Sequence, residues 1–198
     1  MIVDIYNTEK KYNIIYADPP WEYKESGTGV RGCADLDKRY KGVMNIEEIC
    51  ALPIHKIAED ASILFLWVTF PRLKQGLKVI EAWGYEYYGL GFDWVKLNPK
   101  SKTPAWGMGY YTRQNTEVCL IGVRKNKAHR IKPKVRNVLS VIHADRREHS
   151  RKPDIIRDHI VSICGDLPRI ELFARQSADG WDSWGNETKK FDSEPWLV

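Results

Sequence analysis

The sequence predicts an α/β fold, a largely parallel sheet with helices on both faces. Short runs rich in β-branched and aromatic residues alternate with segments of helical periodicity, the pattern of strand–helix–strand units. Several of those runs are continuously apolar rather than alternating, as strands covered on both sides are. The length of 198 residues, with 43% hydrophobic and 29% charged side chains, suits a single domain over 1–198 with a sizeable core.

Tyr12 to Ala17 (YNIIYA) is the first buried strand. Residues 22–42 are polar, Gly-rich and aperiodic, and read as a long loop of the kind that is functional or disordered. Asn45 and Glu48 form a capping-box pattern opening a short helix to Leu52. Ala61 to Val68 is the next strand, and Pro71 to Trp83 has helical spacing with Gly84 as its stop. An aromatic, β-rich stretch over 85–96 is followed by a Pro-, Gly- and Trp-bearing loop over 98–112. Glu117 to Val123 and Val138 to Ile142 are further strands, Pro153 to Cys164 a helix closed by Gly165, and Ile170 to Ala174 the last strand. The last dozen residues read as a loosely held tail.

Composition excludes several classes. No run approaches the roughly 18 apolar residues of a spanning helix. Met1 to Tyr12 lacks the apolar stretch of a signal peptide. The four scattered cysteines (Cys33, Cys50, Cys119, Cys164) make neither a disulfide scaffold nor a zinc ribbon, so a reducing cytoplasm is the expected location. The net charge of +5 hides an asymmetry: Arg124 to Arg157 holds 12 basic and 3 acidic residues, and the remainder is net acidic. That segment is either a solvated basic surface or a grip on a polyanion, in which each neutralised phosphate releases counterions.

Asp18-Pro19-Pro20-Trp21 lies where the first strand ends, and open α/β sheets bind ligands outside the carboxyl ends of their strands. The prolines stiffen the backbone and remove two N–H donors, leaving carbonyl oxygens, one carboxylate and a flat indole. Such an acceptor-rich corner suits an adenine, whose exocyclic amine donates two hydrogens and whose ring stacks; the alternative is a strand-ending turn with a core tryptophan. Gly27 to Gly32 matches the G-x-G-x-x-G fingerprint, but it neither follows a strand directly nor opens a helix, and reads as a Gly-rich loop. Glu148 to Pro153 precedes a helix whose N-terminus favours an anion, with Lys152 adding charge. Glu171 to Arg175 and Gly180 to Glu187 offer polar groups at the last strand end for ribose hydroxyls and a carboxylate, or a tryptophan-bearing wrap. His143, Asp145 and His149 match no usual metal-ligand spacing, and no metal is expected.

From about Tyr12 to Glu187 the chain resembles the DPPW-type S-adenosyl-L-methionine-dependent adenine methyltransferases, the family named for the seventy-kilodalton mRNA N(6)-adenosine methyltransferase subunit. The resemblance is carried by Asp18 to Trp21, Leu64 to Val68, the Glu117 strand, Arg147 to Pro153, Glu171 to Arg175 and Gly185-Asn186, in the family's order. It implies a Rossmann-like methyltransferase sheet with circularly permuted motifs, the catalytic motif first and the cofactor strand last. It implies catalytic roles for Asp18, Pro19, Pro20 and Trp21: Asp18 and the Pro19 carbonyl receive the amine hydrogens, while Trp21 and Tyr40 flank the base. It places Asp18, Lys152, Glu171, Leu172, Arg175, Asn186 and Glu187 near the cofactor, with Asp4 and Ile5 as a further adenine contact. Glu117 joins the substrate side. The chain departs from the general methyltransferase pattern in having no FxGxG motif at its last strand.

The activity implied is methyl transfer to the N(6) amine of adenine in nucleic acid, DNA ahead of RNA. The alternative is a catalytically inactive nucleic-acid-binding or scaffold member of the same family. Lys132, Lys134 and Arg136, in the basic segment, are the expected phosphate grip. The expected partner is a nucleic acid, with room for a homo- or heterodimer and none for a membrane.

Overall fold

The computed structural model describes residues 1–22, 42–107, 109–148 and 151–192. The Gly27–Gly32 hexapeptide, Tyr40, His149 and nearly all of the expected 22–42 loop lie outside the described residues.

Among the described residues seven strands form one sheet: β1 (Tyr12–Ala17), β2 (Ala58–Val68), β3 (Tyr85–Leu97), β4 (Thr116–Arg124), β5 (Val141–Asp145), β6 (Arg169–Leu172) and β7 (Asp182–Trp184). Their spatial order is β5-β3-β4-β2-β1-β6-β7. The helices are α1 (Ile46–Cys50), α2 (Ile54–Ile57), α3 (Leu73–Ala82) and α4 (Ile155–Cys164). Both halves of the Asn45–Glu48 capping box form: the Asn45 side chain accepts from the Glu48 amide, and the Glu48 carboxylate accepts from the Asn45 amide. Helices cover both faces, as expected. Ile49, Ile54, Val79 and Ile80 of α1–α3 pack on one face with Leu64 and Leu66, while Ile156 and Ile160 of α4 pack on the other with Phe65, Trp67 and Phe92.

The sheet is mixed rather than uniformly parallel. β1 runs parallel to β2 and β6, β6 to β7, and β3 to β5, but β4 is antiparallel to both β2 and β3. The cause is the connection. A parallel neighbour needs a long crossover, usually helical, whereas the described residues of the 98–115 segment between β3 and β4 form no helix and the chain simply turns back. β4 thus slots between β2 and β3, which α3 had already linked in parallel.

Other differences are local. β5 lies at 141–145 instead of 138–142, because its register is set by pairing with Asp93–Leu97 of β3; Val138 packs under the sheet and Leu139 is exposed. β6 stops at Leu172 because Phe173 has φ 60, which leaves the extended conformation. β7 had no legible apolar run; it pairs with β6, and Val3 and Met1 exchange backbone hydrogen bonds with Ser183 along it. Part of the expected tail is structural, since Phe191 is buried under the guanidinium groups of Arg151 and Arg175, each 4.8 Å from its ring centroid.

Strand direction gathers the site. β1, β2, β3, β6 and β7 all end at one edge of the sheet, and antiparallel β4 begins there. Leu66, fully buried and paired with both Ala17 and Leu120, sits just beneath that edge. Leu66→Ala is expected to cost about 2–5 kcal/mol, the range for a buried leucine truncated to a cavity. Urea unfolding checks this as a lowered midpoint with an unchanged slope.

Candidate active site

The strand ends enclose a cleft of about 340 Å³, at the lower end of the roughly 300–1,000 Å³ usual for small-molecule sites. Its wall is assembled from segments far apart in sequence: 18–21 after β1, 67–69 at the end of β2, Lys96 on β3, Glu117 on β4, Lys152 before α4, 173–175 after β6 and 184–187 from the end of β7.

The first of these segments is rigid for local reasons. The Trp21 amide donates to the Pro19 carbonyl at 2.9 Å, closing a tight turn, and the Met44 amide donates to the Pro20 carbonyl at 3.1 Å. A carbonyl oxygen has two lone pairs, so Pro19 keeps acceptor capacity. Trp21 is part of the core and of the cleft lining: it is buried and donates through Nε1 to the Trp67 carbonyl at 3.2 Å.

Charge in the cleft is organised around Lys152, whose side chain is only 8% exposed. Its ammonium donates to Asp18 Oδ2 at 2.6 Å and lies 3.2 Å from Glu117 Oε2, with the Trp67 ring 5.4 Å away. Lys96 pairs with the other Glu117 oxygen and lies over Trp94. Burial raises the Asp18 carboxyl above its ordinary value, against the pull of Lys152. Burial acts on Glu117 in the same sense, but two lysines outweigh it and hold this carboxyl below its ordinary value. Burial would lower Lys152; its two carboxylate partners more than reverse that, so it stays an ammonium.

Lys152 is held from behind. Arg147 donates to the Lys152 carbonyl at 2.7 Å and to Asp154 Oδ2 at 2.7 Å. Asp154 also accepts from Arg157 and Gln176. Arg157 then grips Glu171 through two hydrogen bonds of 2.7 and 2.9 Å. Across the cleft, Phe173 and Trp184 meet edge to face with centroids 5.3 Å apart, and Arg175 Nε lies 3.3 Å from Glu187 Oε2. Gly185 makes this approach possible: at φ 157, a Cβ there would come within 3.0 Å of the Ala174 amide nitrogen and carbonyl oxygen.

Of the expected site residues, Asp18, Pro19, Pro20, Trp21, Glu117, Lys152, Arg175, Asn186 and Glu187 share this cleft. Others do not. Asp4 spends its carboxylate on its own turn, accepting from the Tyr6 amide and the Asn7 side chain, and Ile5 is core. Glu171 is taken up by Arg157, and Leu172 is fully buried under the sheet edge. Lys132, Lys134 and Arg136 are exposed, but Lys134 lies over Gly165 at the C-terminal end of α4, opposite the helix end that faces the cleft. Tyr40 lies outside the described residues. The sequence reading missed Met44, Thr69, Lys96, Phe173 and Trp184 as lining groups; Lys96 could have been found from the cross-strand pairing that brings it diagonally to Glu117.

A mixed α/β sheet with a cleft at its strand ends, an acceptor corner on one side and an apolar, amide- and carboxylate-bearing floor on the other is the architecture of the methyltransferase class. Residues 12–187 match the MT-A70 family, and the chain belongs to it. Members of this family are adenine methyltransferases whose methyl donor is S-adenosyl-L-methionine. The type II methyltransferase M.MunI of Mycoplasma sp. is 34% identical over 194 residues, covering 90% of this chain and 78% of that protein. The N(6)-adenosine-methyltransferase MT-A70-like protein of Arabidopsis thaliana is 32% identical, and the human N(6)-adenosine-methyltransferase catalytic subunit METTL3 is 30% identical, each covering 89% of this chain. The chain spans only 24% and 28% of the length of those two eukaryotic relatives.

The donor set fits the methyl donor. Phe173, Trp184 and Met44 would offer apolar surface for its nucleoside, Asn186 and Glu187 an amide and an acceptor for ribose hydroxyls, and Arg175 and Lys152 cations for its carboxylate.

Lys152→Met should expose how much of this edge depends on the buried pair. Losing one partner of such a pair costs about 3–5 kcal/mol. Glu117 retains Lys96, so Asp18 is the acid left without its direct partner. A carboxyl whose folded pKa lies above its unfolded one takes up protons on folding, so the variant's deficit should shrink as the medium is acidified from about pH 7 to pH 5. Urea unfolding at both values checks the sign; an equal deficit at each would show that charge is not its cause.

Proposed function

We propose that this chain transfers a methyl group to the exocyclic N(6) amine of an adenine in nucleic acid, with DNA ahead of RNA. The observation that carries this reading is Asp18, a carboxylate held beside the Pro19 carbonyl at the cleft wall by the buried ammonium of Lys152. The preference for DNA rests on M.MunI, a bacterial type II methyltransferase that this chain covers over most of its length.

S-adenosyl-L-methionine, when bound, supplies an electrophilic methyl group. The difficulty lies with the acceptor, because the amine lone pair is delocalised into the purine ring. Asp18 and the Pro19 carbonyl accept hydrogen bonds from the two amine hydrogens, which favours a tetrahedral nitrogen over the planar ground state and so stabilises the transition state selectively, and the methylated nitrogen then releases its surplus proton to water. Lys152 fixes the Asp18 carboxylate, so little reorganisation is needed when the base arrives. Trp21 and Trp67 give the base an apolar wall, and the stiff proline corner maintains alignment. A base within a duplex must first be flipped out at a cost of a few kcal/mol, while a single strand avoids it.

Asp18→Asn should lower kcat by about 10²–10³, the usual effect of removing one group that stabilises a transition state. Labelled-methyl transfer to single- and double-stranded DNA and RNA, followed by nucleoside analysis, measures this, with calorimetry showing cofactor affinity changed far less. Methylcytosine as the product, or bound cofactor with no methylated base on any substrate, would sink the reading.

We place the phosphate grip on the cleft side and not at the far end of α4, where Lys134 lies. Arg146 is exposed, and its amide donates to the carbonyl of Leu97 at the cleft end of β3. Arg146→Ala should make the log–log salt dependence of binding shallower by about one unit, as for one lost phosphate contact. The triple change Lys132→Ala, Lys134→Ala and Arg136→Ala should leave that slope nearly unchanged. Anisotropy titrations between low and moderate salt compare the two.

A further inference from the structure

We propose that the loop between β3 and β4 is a stacking platform, formed by Trp106, Tyr110 and Tyr111 with Arg113, for unpaired bases flanking the target adenine. This inference rests on the nucleic-acid reading above and adds how the strand is held beside the cleft. The three rings fall within six residues and are 78%, 78% and 94% exposed. Isolated surface aromatics are commonplace, but three together on one loop amount to an unpartnered apolar surface.

The loop is built rather than loose. Leu97 and Pro104 form an antiparallel bridge, the Ala105 amide donates to the Lys96 carbonyl at 2.7 Å, and the Lys96 amide donates to the Asn115 carbonyl at 2.9 Å. Ala105 is buried, which pins the backbone one residue before Trp106. Beyond it the chain doubles back so closely that a Cβ at Gly107 would lie 1.7 Å from the Gln114 carbonyl oxygen. The rings are also set against one another: Tyr110 and Tyr111 meet edge to face at 4.9 Å, and the Arg113 guanidinium lies 5.7 Å from the Trp106 ring centroid.

Position and charge select the occupant. Lys96, whose carbonyl anchors the loop, lines the catalytic cleft and pairs with Glu117. From Lys96 to Arg113 the chain carries four basic residues and no acidic one. A single strand presents flat bases and a row of negative charges, and proteins that hold one combine aromatic faces with cations in this way. Lys96 and Lys102 are paired with Glu117 and Asp145, so Lys100 and Arg113 carry the remaining positive charge of the loop, from which an apolar protein partner would gain nothing. Stacking tolerates any base, so the platform adds grip without sequence choice, while the cleft selects adenine.

The test uses the full chain and fluorescently labelled single-stranded oligodeoxynucleotides that carry one adenine. Trp106→Ala, and separately the pair Tyr110→Ala with Tyr111→Ala, should each weaken Kd by about 5- to 100-fold, the range for loss of base stacking. Neither variant removes a charge, so its salt dependence should run parallel to that of the parent chain. An oligonucleotide with abasic flanks should bind the parent as weakly as the intact strand binds the variants, and the variants should not distinguish the two strands. The rings are solvent-exposed, so urea midpoints should stay unchanged and confirm folding. Unchanged Kd in both variants overturns the platform. So does a change in sedimentation with oligonucleotide affinity intact, which would assign the surface to a protein contact. Methyl transfer followed in parallel separates this proposal from the one beneath it. Adenine labelled by a chain whose binding ignores the flanks removes the platform alone. Ring-dependent binding with no labelled adenine removes the reaction and leaves the platform standing.

Discussion

The ammonium of Lys152, sunk between the carboxylates of Asp18 and Glu117, ties the end of β1, the start of β4 and the entry to α4 into one wall. Three charges gathered at a sheet edge are expensive to desolvate, and their attraction offsets that only when the geometry is close and the remaining polar groups are satisfied. Here it is close. Lys96 takes the second oxygen of Glu117, Arg147 holds the Lys152 backbone, and Asp154 and Arg157 carry the network across to Glu171 on β6. The loop bearing the acceptor corner therefore depends on ion pairs drawn from five elements as much as on its own prolines.

The same arrangement reconciles two demands on Asp18. A hydrogen-bond acceptor for a weakly acidic amine must be ionised, yet it must also be removed from water for its field to count. Burial alone would push the proton onto the carboxyl; the lysine opposes this without itself being at risk of losing charge, because two acids hold it protonated. Glu117 serves as the buffer between the two lysines, accepting from both so that neither cation is left without a carboxylate. Opposite this wall, Phe173 is held at φ 60, a conformation that costs a non-glycine residue about 1–3 kcal/mol and survives where its surroundings over-determine it. The contact of its ring with Trp184, the Ala174–Trp184 backbone bond and the close approach at Gly185 supply that constraint.

Electrostatically the chain is less simple than its linear charge pattern. Of the basic stretch from Arg124 to Arg157, Arg124 is spent on the carbonyls of Glu59, Asp60 and Gly84, Arg130 on Glu86, and Arg157 on Glu171. Lys152 belongs to the cleft, and Lys134 lies at the far end of α4. A run of positive charge in sequence thus divides into structural clamps, one cleft cation and a remote surface, while Lys96 on β3 and Arg175 after β6, which also line the cleft, lie outside the run.

By itself the sequence determined the strand–helix alternation, the capping box at Asn45, the helix ending at Gly165 and the acceptor corner at Asp18 to Trp21. Each is written in local chemistry: β-branched runs, a side chain three residues from its partner amide, prolines without N–H groups. The pairing of Asp18 with Lys152, 134 residues away, could be approached only through resemblance, since no local pattern encodes it. Tertiary structure alone decided that β4 runs antiparallel between β2 and β3, that β5 begins at Val141, and that Glu171 faces Arg157 instead of the cleft. It also left Asp4 and Ile5 outside the cleft lining and set Lys134 at the far end of α4. Those outcomes depend on which strand finds which neighbour and on which charges meet when distant segments close on one edge, and that information lies in the packing of the whole sheet.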